Sequence, residues 1–279
     1  MASKINKGEI LAKFFDDGEY TALFADGAVS AACGYAAGQQ AYAVYQNGEA
    51  VTVKDVEKNI KVLELAAQTG CPVVTFYDST GAKLEGGLDL LNATARLTAE
   101  IARVSGVVPQ IAVVTGTCAG TNAINAASAD LCIMAEDAEL FLNAPFNAED
   151  KVAGAGSAEF AAKAGVAAVT AADAVAAAKQ AASIAALLPA NNLAGPALFD
   201  FSAPSAALNT AKYTAADAVA ALTDEGSAVE LYKGYGKNIV TALATINGSS
   251  VGIVATEKAA LCHKCTAEAA RFVRLCDAY

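Results

Sequence analysis

The chain of 279 residues lacks tryptophan and contains a single histidine, His263. Catalytic sites of the Ser–His–Asp type and zinc sites built on histidine need that side chain, so both are disfavoured. No run of 18 or more apolar residues is free of charge, which argues against a membrane-spanning helix. The N-terminal segment also lacks the apolar centre of a signal peptide, and we therefore expect a cytoplasmic protein.

Positive charge is scarce as well, since 19 Lys and Arg residues face 29 Asp and Glu residues and leave a net charge of −10. Nucleic-acid phosphates require basic counter-charges, so nucleic acid is not expected as a partner. Hydrophobic residues make up 55% of the chain and charged residues 17%, which predicts a sizeable core and a surface partly buried in a homo-oligomer. The seven cysteines are scattered in mostly apolar surroundings and predict free thiols.

Strand and helix patterns alternate along the chain. Apolar residues at helical spacing predict amphipathic helices at 56–69 and 90–104, and the apolar segments "CPVVTFYDS", "PQIAVVTG", "LCIMA" and "ELFL" predict strands. The alanine-rich stretch that follows predicts a short strand, a capped turn near Asp173 and a long helix that ends before Pro189. This order of elements is typical of the α/β class.

The second part of the chain echoes its beginning. Residues 222–232, 245–254 and 269–279 resemble residues 14–24, 35–44 and 59–69, at offsets of 208, 210 and 210 residues. Three matches in order at nearly one spacing predict a duplicated domain. We expect a first domain at 1–205, then a linker and a truncated start of the second domain at 206–279, as in a fragment or one part of a split gene.

That truncated start has apolar faces without obvious partners, among them Ile239, Leu243, Phe272 and Leu275. An open sheet edge and an exposed apolar patch both promote association. We therefore expect the tail to dock on its own first domain, to pair with another copy, or to be the least ordered region.

Two loops of small residues follow buried strands, at 78–83 and at 116–121, and the second one opens a helix. Backbone N–H groups at a helix N-terminus are unpaired and carry the positive end of the helix dipole. Together with an N–H group from the other loop, they can form an oxyanion hole for a thioester enolate. The alternative is that Ala119 and Gly120 merely allow close packing of helix and strand, because a G-x-x-x-G pattern is common.

Several segments carry a resemblance to a known family: "PVVTFYDSTGAKLEGGLDLL", "SGVVPQIAVVTGTCAGTNAINAASADLCIM", "LLPANN" and "YGKNIVTALATINGSSVGIVA". In this order they resemble the carboxyltransferases of biotin-dependent acyl-CoA carboxylases and decarboxylases. The resemblance implies a crotonase-like β-β-α superhelix with the beginning of a second, incomplete repeat. It also implies carboxyl transfer between carboxybiotin and an acyl-CoA, with the coenzyme A thioester as substrate. Biotin would arrive on a biotin carboxyl carrier protein, and biotin carboxylase or decarboxylase subunits would be further partners.

The resemblance assigns catalytic positions to Gly81, Ala82, Gly120 and Thr121, and cofactor-binding positions to Ser79, Lys83 and Ala119. Released biotin would itself accept the proton, so the reaction needs no side-chain base. Two positions depart from the family pattern, since Lys83 replaces a usual arginine and Thr121 a usual glycine. The N–H group survives at Thr121, but its side chain narrows the access to the site.

Other functions stay open at this point. The rival from another class is a non-catalytic crotonase-fold scaffold or CoA-binding subunit of a carboxylase or decarboxylase complex. A hydratase or isomerase is disfavoured, because neither loop offers the paired carboxylates that such enzymes position. The acyl group and the choice between carboxylase and decarboxylase are not distinguished. The segment "CHKC", Cys262 to Cys265, is interpreted as a polar loop before a helix, since no second ligand pair follows it to hold a metal.

Overall fold

The computed structural model describes residues 7–147, 149, 152–204, 207–257 and 259–279. Within these ranges eight strands form one mixed sheet: β1 Tyr20–Phe24, β2 Val29–Ala36, β3 Gln39–Gln46, β4 Val73–Ser79, β5 Gln110–Ala119, β6 Leu131–Ala135, β7 Glu139–Phe141 and β8 Val169–Ala171. The strand order is β1-β2-β3-β4-β5-β6-β8, and β7 pairs with the end of β5. The first three strands are antiparallel, whereas β3, β4, β5, β6 and β8 run parallel and β7 is parallel to β5.

The described helices are α1 Lys7–Phe14, α2 Val53–Thr69, α3 Gly87–Val104, α4 Thr121–Ser128, α5 Ala158–Lys163, α6 Ala174–Leu187, α7 Ala215–Leu222 and α8 His263–Ala278. The helices α2 and α3 cover one face of the sheet, where Ile60 and Leu97 belong to the same core cluster as Val73. The helices α1 and α6 pack on the opposite face around Phe14 and Phe76. Covering both faces explains why β4 is a nearly continuous apolar run.

Local signals set the helix ends, as the sequence predicts for the cap near Asp173. A capping box at Thr52 begins α2, and Gly70 in the left-handed conformation ends it. Asp173 caps α6, because its carboxylate accepts the N–H of Ala176 at 2.7 Å. The small side chains of α6 let it pack closely, and its residues Ala177, Ala181 and Ala185 are fully buried in the core.

The tail of the chain forms a three-stranded antiparallel sheet of β9 Val229–Leu231, β10 Ile239–Ile246 and β11 Ser249–Thr256, followed by α8. Its side chains Leu243, Phe272 and Leu275 join the same core cluster as α6. The hydroxyl group of Tyr279 lies 2.8 Å from the carbonyl oxygen of Val108 and 2.8 Å from a carboxylate oxygen of Asp130. Of the three outcomes expected for the tail, the structure shows docking on the preceding part of the chain, which we call the first unit (the described residues from 7 to 204).

The predicted helices and strands are confirmed, with one correction at the C-x-x-C segment. Cys262 to Cys265 do not form a loop before a helix, since α8 begins at His263. The sulfur of Cys262 accepts the N–H of Cys265 and thereby caps the helix. Among the helices in the described ranges, none has both the length and the apolar character needed to cross a membrane.

Candidate active site

Both predicted loops open onto one cavity of about 410 Å³ at the carboxyl ends of β4 and β5. Its lining includes six of the seven residues expected at the site: Gly81, Ala82, Lys83, Ala119, Gly120 and Thr121. The register of the sheet explains this meeting, because Ser79 at the end of β4 lies beside Cys118 near the end of β5. After each of these two strands the chain leaves the sheet at the same edge. This is the edge at which ligands bind in parallel α/β sheets.

The first loop is held by a segment far away along the chain. The carbonyl oxygen of Gly81 accepts the N–H of Val51 at 2.8 Å, and the N–H of Lys83 donates to the carbonyl oxygen of Val51 at 3.0 Å. In this parallel bridge the N–H of Ala82 points away from Val51. Gly81 has a φ of +108°, and a Cβ added there would meet no atom within 4 Å, so its open side faces free space.

Ser79 occupies a different place from the one expected of a cofactor-binding residue. Its side chain is fully buried, and it does not belong to the cavity lining. The hydroxyl group lies 2.9 Å from the carbonyl oxygen of Glu49 and accepts the N–H of Gly81 at 3.1 Å. This position supports a role for Ser79 in ordering the first loop from below, without contact to a ligand.

The second loop turns at Gly120, whose φ of 61° and ψ of −129° are accessible to glycine but strained for other residues. Its N–H donates to the carbonyl oxygen of Phe141 in β7 at 3.0 Å. Thr121 follows as the first residue of α4. Its N–H group therefore belongs to the unpaired groups at the positive end of the helix.

The hydrogen bonds of the backbone amides show which of the four candidate oxyanion donors are available to a ligand. The N–H groups of Gly81 and Gly120 donate to Ser79 and Phe141, so neither is available to a ligand. The N–H groups of Ala82 and Thr121 have no acceptor among the described residues, and both residues line the cavity. Of these four candidates, one free donor thus comes from each loop.

Asp78 connects the first loop to the second by a hydrogen bond. One carboxylate oxygen accepts the N–H of Thr117 at 3.1 Å, and the carbonyl oxygen of Asp78 accepts the N–H of Gly48 at 2.8 Å. A Cβ added to Gly116 would collide with the carboxylate of Asp78. Gly116 therefore permits the close approach of the two strands, which is a structural role, while Ala82 and Thr121 supply the open donors.

The cavity contains no acidic side chain among its lining residues, and Lys83 is its one charged lining residue within the described ranges. Its walls are mainly apolar, and Leu84 at the mouth is 93% exposed. Cys118 beside the site is not a thiolate, because burial and the nearby Cys132 and Asp78 raise the pKa of its thiol well above its usual value. The arrangement can therefore polarise a carbonyl group through amides, but it offers no ionised nucleophile.

Sequence reasoning missed several lining residues, among them Val51, Thr94 and Asn122. The side-chain amide of Asn122 donates to Gln46 at 3.3 Å, which connects α4 to the end of β3. These positions come from segments distant in the sequence, and no local motif marks them. The helical position of Asn122, directly after the predicted loop, was the one signal that could have included it.

Comparison with known proteins identifies the family of the chain. The family model described as "Carboxyl transferase domain" matches residues 8–279. The chain is 32% identical over 243 residues to the methylmalonyl-CoA carboxyltransferase 12S subunit of Propionibacterium freudenreichii subsp. shermanii, a match that covers 80% of this chain and 46% of that protein. It is 29% identical to the methylmalonyl-CoA decarboxylase subunit alpha of Veillonella parvula, over 99% of this chain and 63% of that protein. The chain thus spans about half to two thirds of the length of these relatives.

Among solved structures, the transcarboxylase 12S with methylmalonyl-coenzyme A and methylmalonic acid bound superposes with a TM-score of 0.87 at 27% identity. That match covers 97% of this chain and 61% of the other. The expected crotonase-like α/β fold is confirmed by this similarity. The family suggested by the sequence motifs is confirmed as well, and the chain belongs to the carboxyl transferase domain family.

Proposed function

We propose that the chain is a carboxyltransferase component that moves a carboxyl group between carboxybiotin and an acyl-CoA through an enolate. The observation that carries this proposal is the pair of unpaired N–H groups, from Ala82 and Thr121, at one cavity. A thioester oxygen placed between them would gain negative charge as the enolate forms. Preorganised donors of this kind stabilise that charge more strongly than the neutral carbonyl group of the ground state.

The lining residues fit a reaction that needs no side-chain base. A hydratase or isomerase requires positioned carboxylates, and no Asp or Glu lines the cavity within the described part of the chain. Biotin, delivered on a carrier protein, would carry the carboxyl group. Once it has given up that group, it would accept the proton that leaves the α-carbon. The chain's own residues would hold the thioester oxygen, shield it with apolar walls and orient the α-carbon toward the open mouth.

The mouth of the cavity supports the expected ligands and partners. The ammonium group of Lys83 would attract the phosphate groups of coenzyme A. Ala119 in the second loop would lie beside the thioester. Leu84, Leu88 and Leu91 are exposed around the first turn of α3. Such an apolar rim suits contact with a carrier protein or with another subunit of a homo-oligomer.

Two expectations from the sequence belong to the same proposal. The first is the division into a carboxyltransferase domain at 1–205 and the start of a second such domain at 206–279. The second is a cytoplasmic location, which is supported by the free thiol state of all seven cysteines, as expected in a reducing compartment.

Calorimetry with matched ligands tests the proposal. The folded chain is titrated with an acyl-CoA thioester, with the corresponding thioether that lacks the carbonyl oxygen, and with free biotin. We expect the thioester to bind more tightly than the thioether, because only the thioester engages both amides, while free biotin binds weakly. Equal affinity for the two CoA compounds would favour a CoA-binding scaffold, and no affinity for either would favour a scaffold without a CoA site.

A further inference from the structure

The C-x-x-C segment at the start of α8 lies outside the cavity and has no part in the proposed transfer. Cys262 is exposed and caps the helix, whereas Cys265 is fully buried in its first turn. Their sulfur atoms are 3.0 Å apart, which is closer than two sulfur atoms in ordinary van der Waals contact. The two sulfur atoms would have to approach by only about 1 Å to reach the disulfide bond length of about 2.05 Å.

We propose that Cys262 and Cys265 are a reversible dithiol pair that undergoes thiol–disulfide exchange with low-molecular-weight disulfides. This assignment gives the two sulfurs different roles. Cys262 is accessible to a reagent in solution and is the attacking residue, and Cys265 lies behind it and resolves the mixed disulfide. The pair therefore differs from a metal site, and within the described ranges no group of three or more His, Cys, Asp or Glu side chains could hold a metal ion.

The exchange balances without any cofactor. The Cys262 thiol passes its proton to the neighbouring Cys265 thiolate as its sulfur attacks one sulfur of the external disulfide, so that a bond forms to that sulfur and the other half leaves as a thiolate. Cys265 then loses its proton and attacks the sulfur of Cys262, which releases the second half. The two cysteine thiols are oxidised to one disulfide, and the external disulfide is reduced to two thiols.

The surroundings of the pair favour the ionised form that this chemistry requires. The N–H of Cys265 donates to the sulfur of Cys262 at 3.4 Å, at the positive end of a 16-residue helix. The hydrogen bond from the Cys262 thiol, together with the backbone N–H of Asn238, lowers the pKa of Cys265 to about 7. A thiol attacks a disulfide sulfur fastest when its pKa lies near the ambient pH, and this favours the resolving step by Cys265.

The other cysteines make a clear contrast. Burial raises the pKa of Cys132 to about 12, and burial also raises the pKa of Cys276 although its side chain is partly exposed. Neither has a second sulfur atom in hydrogen-bond contact in the described structure. Cys276 is therefore a matched control on the same helix as the proposed pair.

The pair also lies at a contact between α8 and the first unit. The ammonium group of Lys264, between the two cysteines, donates to the carbonyl oxygen of Lys163 at 2.9 Å and lies 4.9 Å from the ring centre of Tyr235. Closing a disulfide around Lys264 would restrict the turn that makes these contacts. Oxidation would thus act on the place where the tail is attached.

Peptide mapping tests the proposal on the folded full chain. The protein is incubated with oxidised glutathione, free thiols are alkylated, and the chain is digested with trypsin without reductant. Cleavage after Lys264 separates residues 259–264 from residues 265–271, so a disulfide would join two peptides that otherwise elute apart. We expect most of the chain to yield the joined peptide, and treatment with excess dithiothreitol to abolish it.

Two variants make the result decisive. Cys265→Ser should accumulate a stable glutathione adduct on Cys262, because the resolving thiol is missing. Cys276→Ser should give the joined peptide to the same extent as the wild type. A wild type whose Cys262 remains alkylated, retains glutathione or links two chains would overturn the proposal, since each outcome means that Cys265 does not resolve.

Discussion

Thr121 stands at the first position of α4, where a helix tolerates proline because the N–H group has no partner inside the helix. Proline at position 121 would therefore remove one N–H donor of the proposed oxyanion hole without breaking the helix. The preceding residue, Gly120, has a backbone conformation that mirrors the extended one, which glycine can keep before a proline. Few amide groups in a folded protein can be removed so selectively.

We predict that Thr121→Pro weakens binding of a CoA analogue carrying the negative charge of an enolate oxygen by about 10²- to 10³-fold, the usual effect of removing one oxyanion donor. Thr121→Gly retains the N–H and removes the side chain that narrows the access, so it should bind at least as well as the wild type. Calorimetry measures both, and circular dichroism verifies the fold. Equal affinities of the two variants would mean that the amide at 121 is not a donor.

At the scale of elements, the repeat in the sequence corresponds to repeated geometry. The hairpin β2–β3 turns at Ala37 and Gly38, and the hairpin β10–β11 turns at Asn247 and Gly248, all with positive φ. In each case one aspartate accepts both turn N–H groups: Asp16 in the first copy at 2.8 Å and 2.8 Å, and Asp224 in the second at 2.9 Å and 2.7 Å. We call this aspartate with its two turn hydrogen bonds a clamp. Its presence in both copies supports the duplication, whose domain bounds stay a prediction.

The clamp at Asp224 predicts a pH dependence. Burial by itself would raise the pKa of this carboxyl group, but hydrogen bonds from Gly248, Thr245 and Asn247 outweigh it and lower the pKa below 3.8. A lowered folded-state pKa gives stability that is present above the unfolded pKa of about 3.9 and is lost as the pH falls through the folded value.

We therefore expect Asp224→Asn to be less stable than the wild type at pH 7, with a difference that shrinks as the pH falls below about 4. Urea unfolding between pH 3 and pH 7 measures this. The exposed Asp17 gives the control, since Asp17→Asn should change the free energy of unfolding by less than about 0.5 kcal/mol at any of these values. A constant difference between wild type and Asp224→Asn would contradict the assignment.

The alanine-rich helix α6 leads to a prediction about packing. Ala178 is fully buried in the core cluster between α1 and the sheet, whereas Ser183 on the same helix is exposed. Ala178→Leu adds volume where none is available and should destabilise the chain by about 1–3 kcal/mol. Ser183→Leu should change stability by about 0.5 kcal/mol or less. Denaturant unfolding measures both variants, and a tolerated leucine at 178 would show that α6 packs loosely.

At the scale of the whole molecule, the end of α8 is anchored to the first unit through one hydroxyl group. The Tyr279 hydroxyl accepts the N–H of Gly106 at 3.1 Å and shares its proton between Val108 and Asp130. The guanidinium group of Arg271 adds a second polar contact by donating to the carbonyl oxygen of Gly165 at 3.2 Å. These contacts, with the shared apolar core, explain why the tail docks where it does.

We predict that Tyr279→Phe costs about 1–3 kcal/mol of stability, because partly buried groups of the first unit lose their partner. Amides of α8 should exchange with solvent faster, while those of β4 and β5 keep their protection. Hydrogen exchange followed by mass spectrometry distinguishes the two regions, and Tyr35→Phe at an exposed position is the control. Unchanged exchange in α8 would mean that the apolar contacts alone hold the tail.

The sequence by itself determined the elements and the position of the site along the chain. Helical periodicity, buried apolar runs and the caps at Thr52, Gly70 and Asp173 act over a few residues, so they can be read locally. The two loops could be predicted for the same reason, since small residues after a buried strand are a local pattern. Family resemblance then narrowed the chemistry to carboxyl transfer.

Only the tertiary structure decided which amides of those loops remain free. In the sequence, Gly81 and Gly120 are candidates equal to Ala82 and Thr121, but in the structure Ser79 and Phe141 accept the N–H groups of the two glycines. The bridge from Val51 and the docking of Tyr279 likewise join segments far apart in the chain. Hydrogen-bond partners of this kind are selected by the packing of the whole sheet, and no local pattern of residues encodes them.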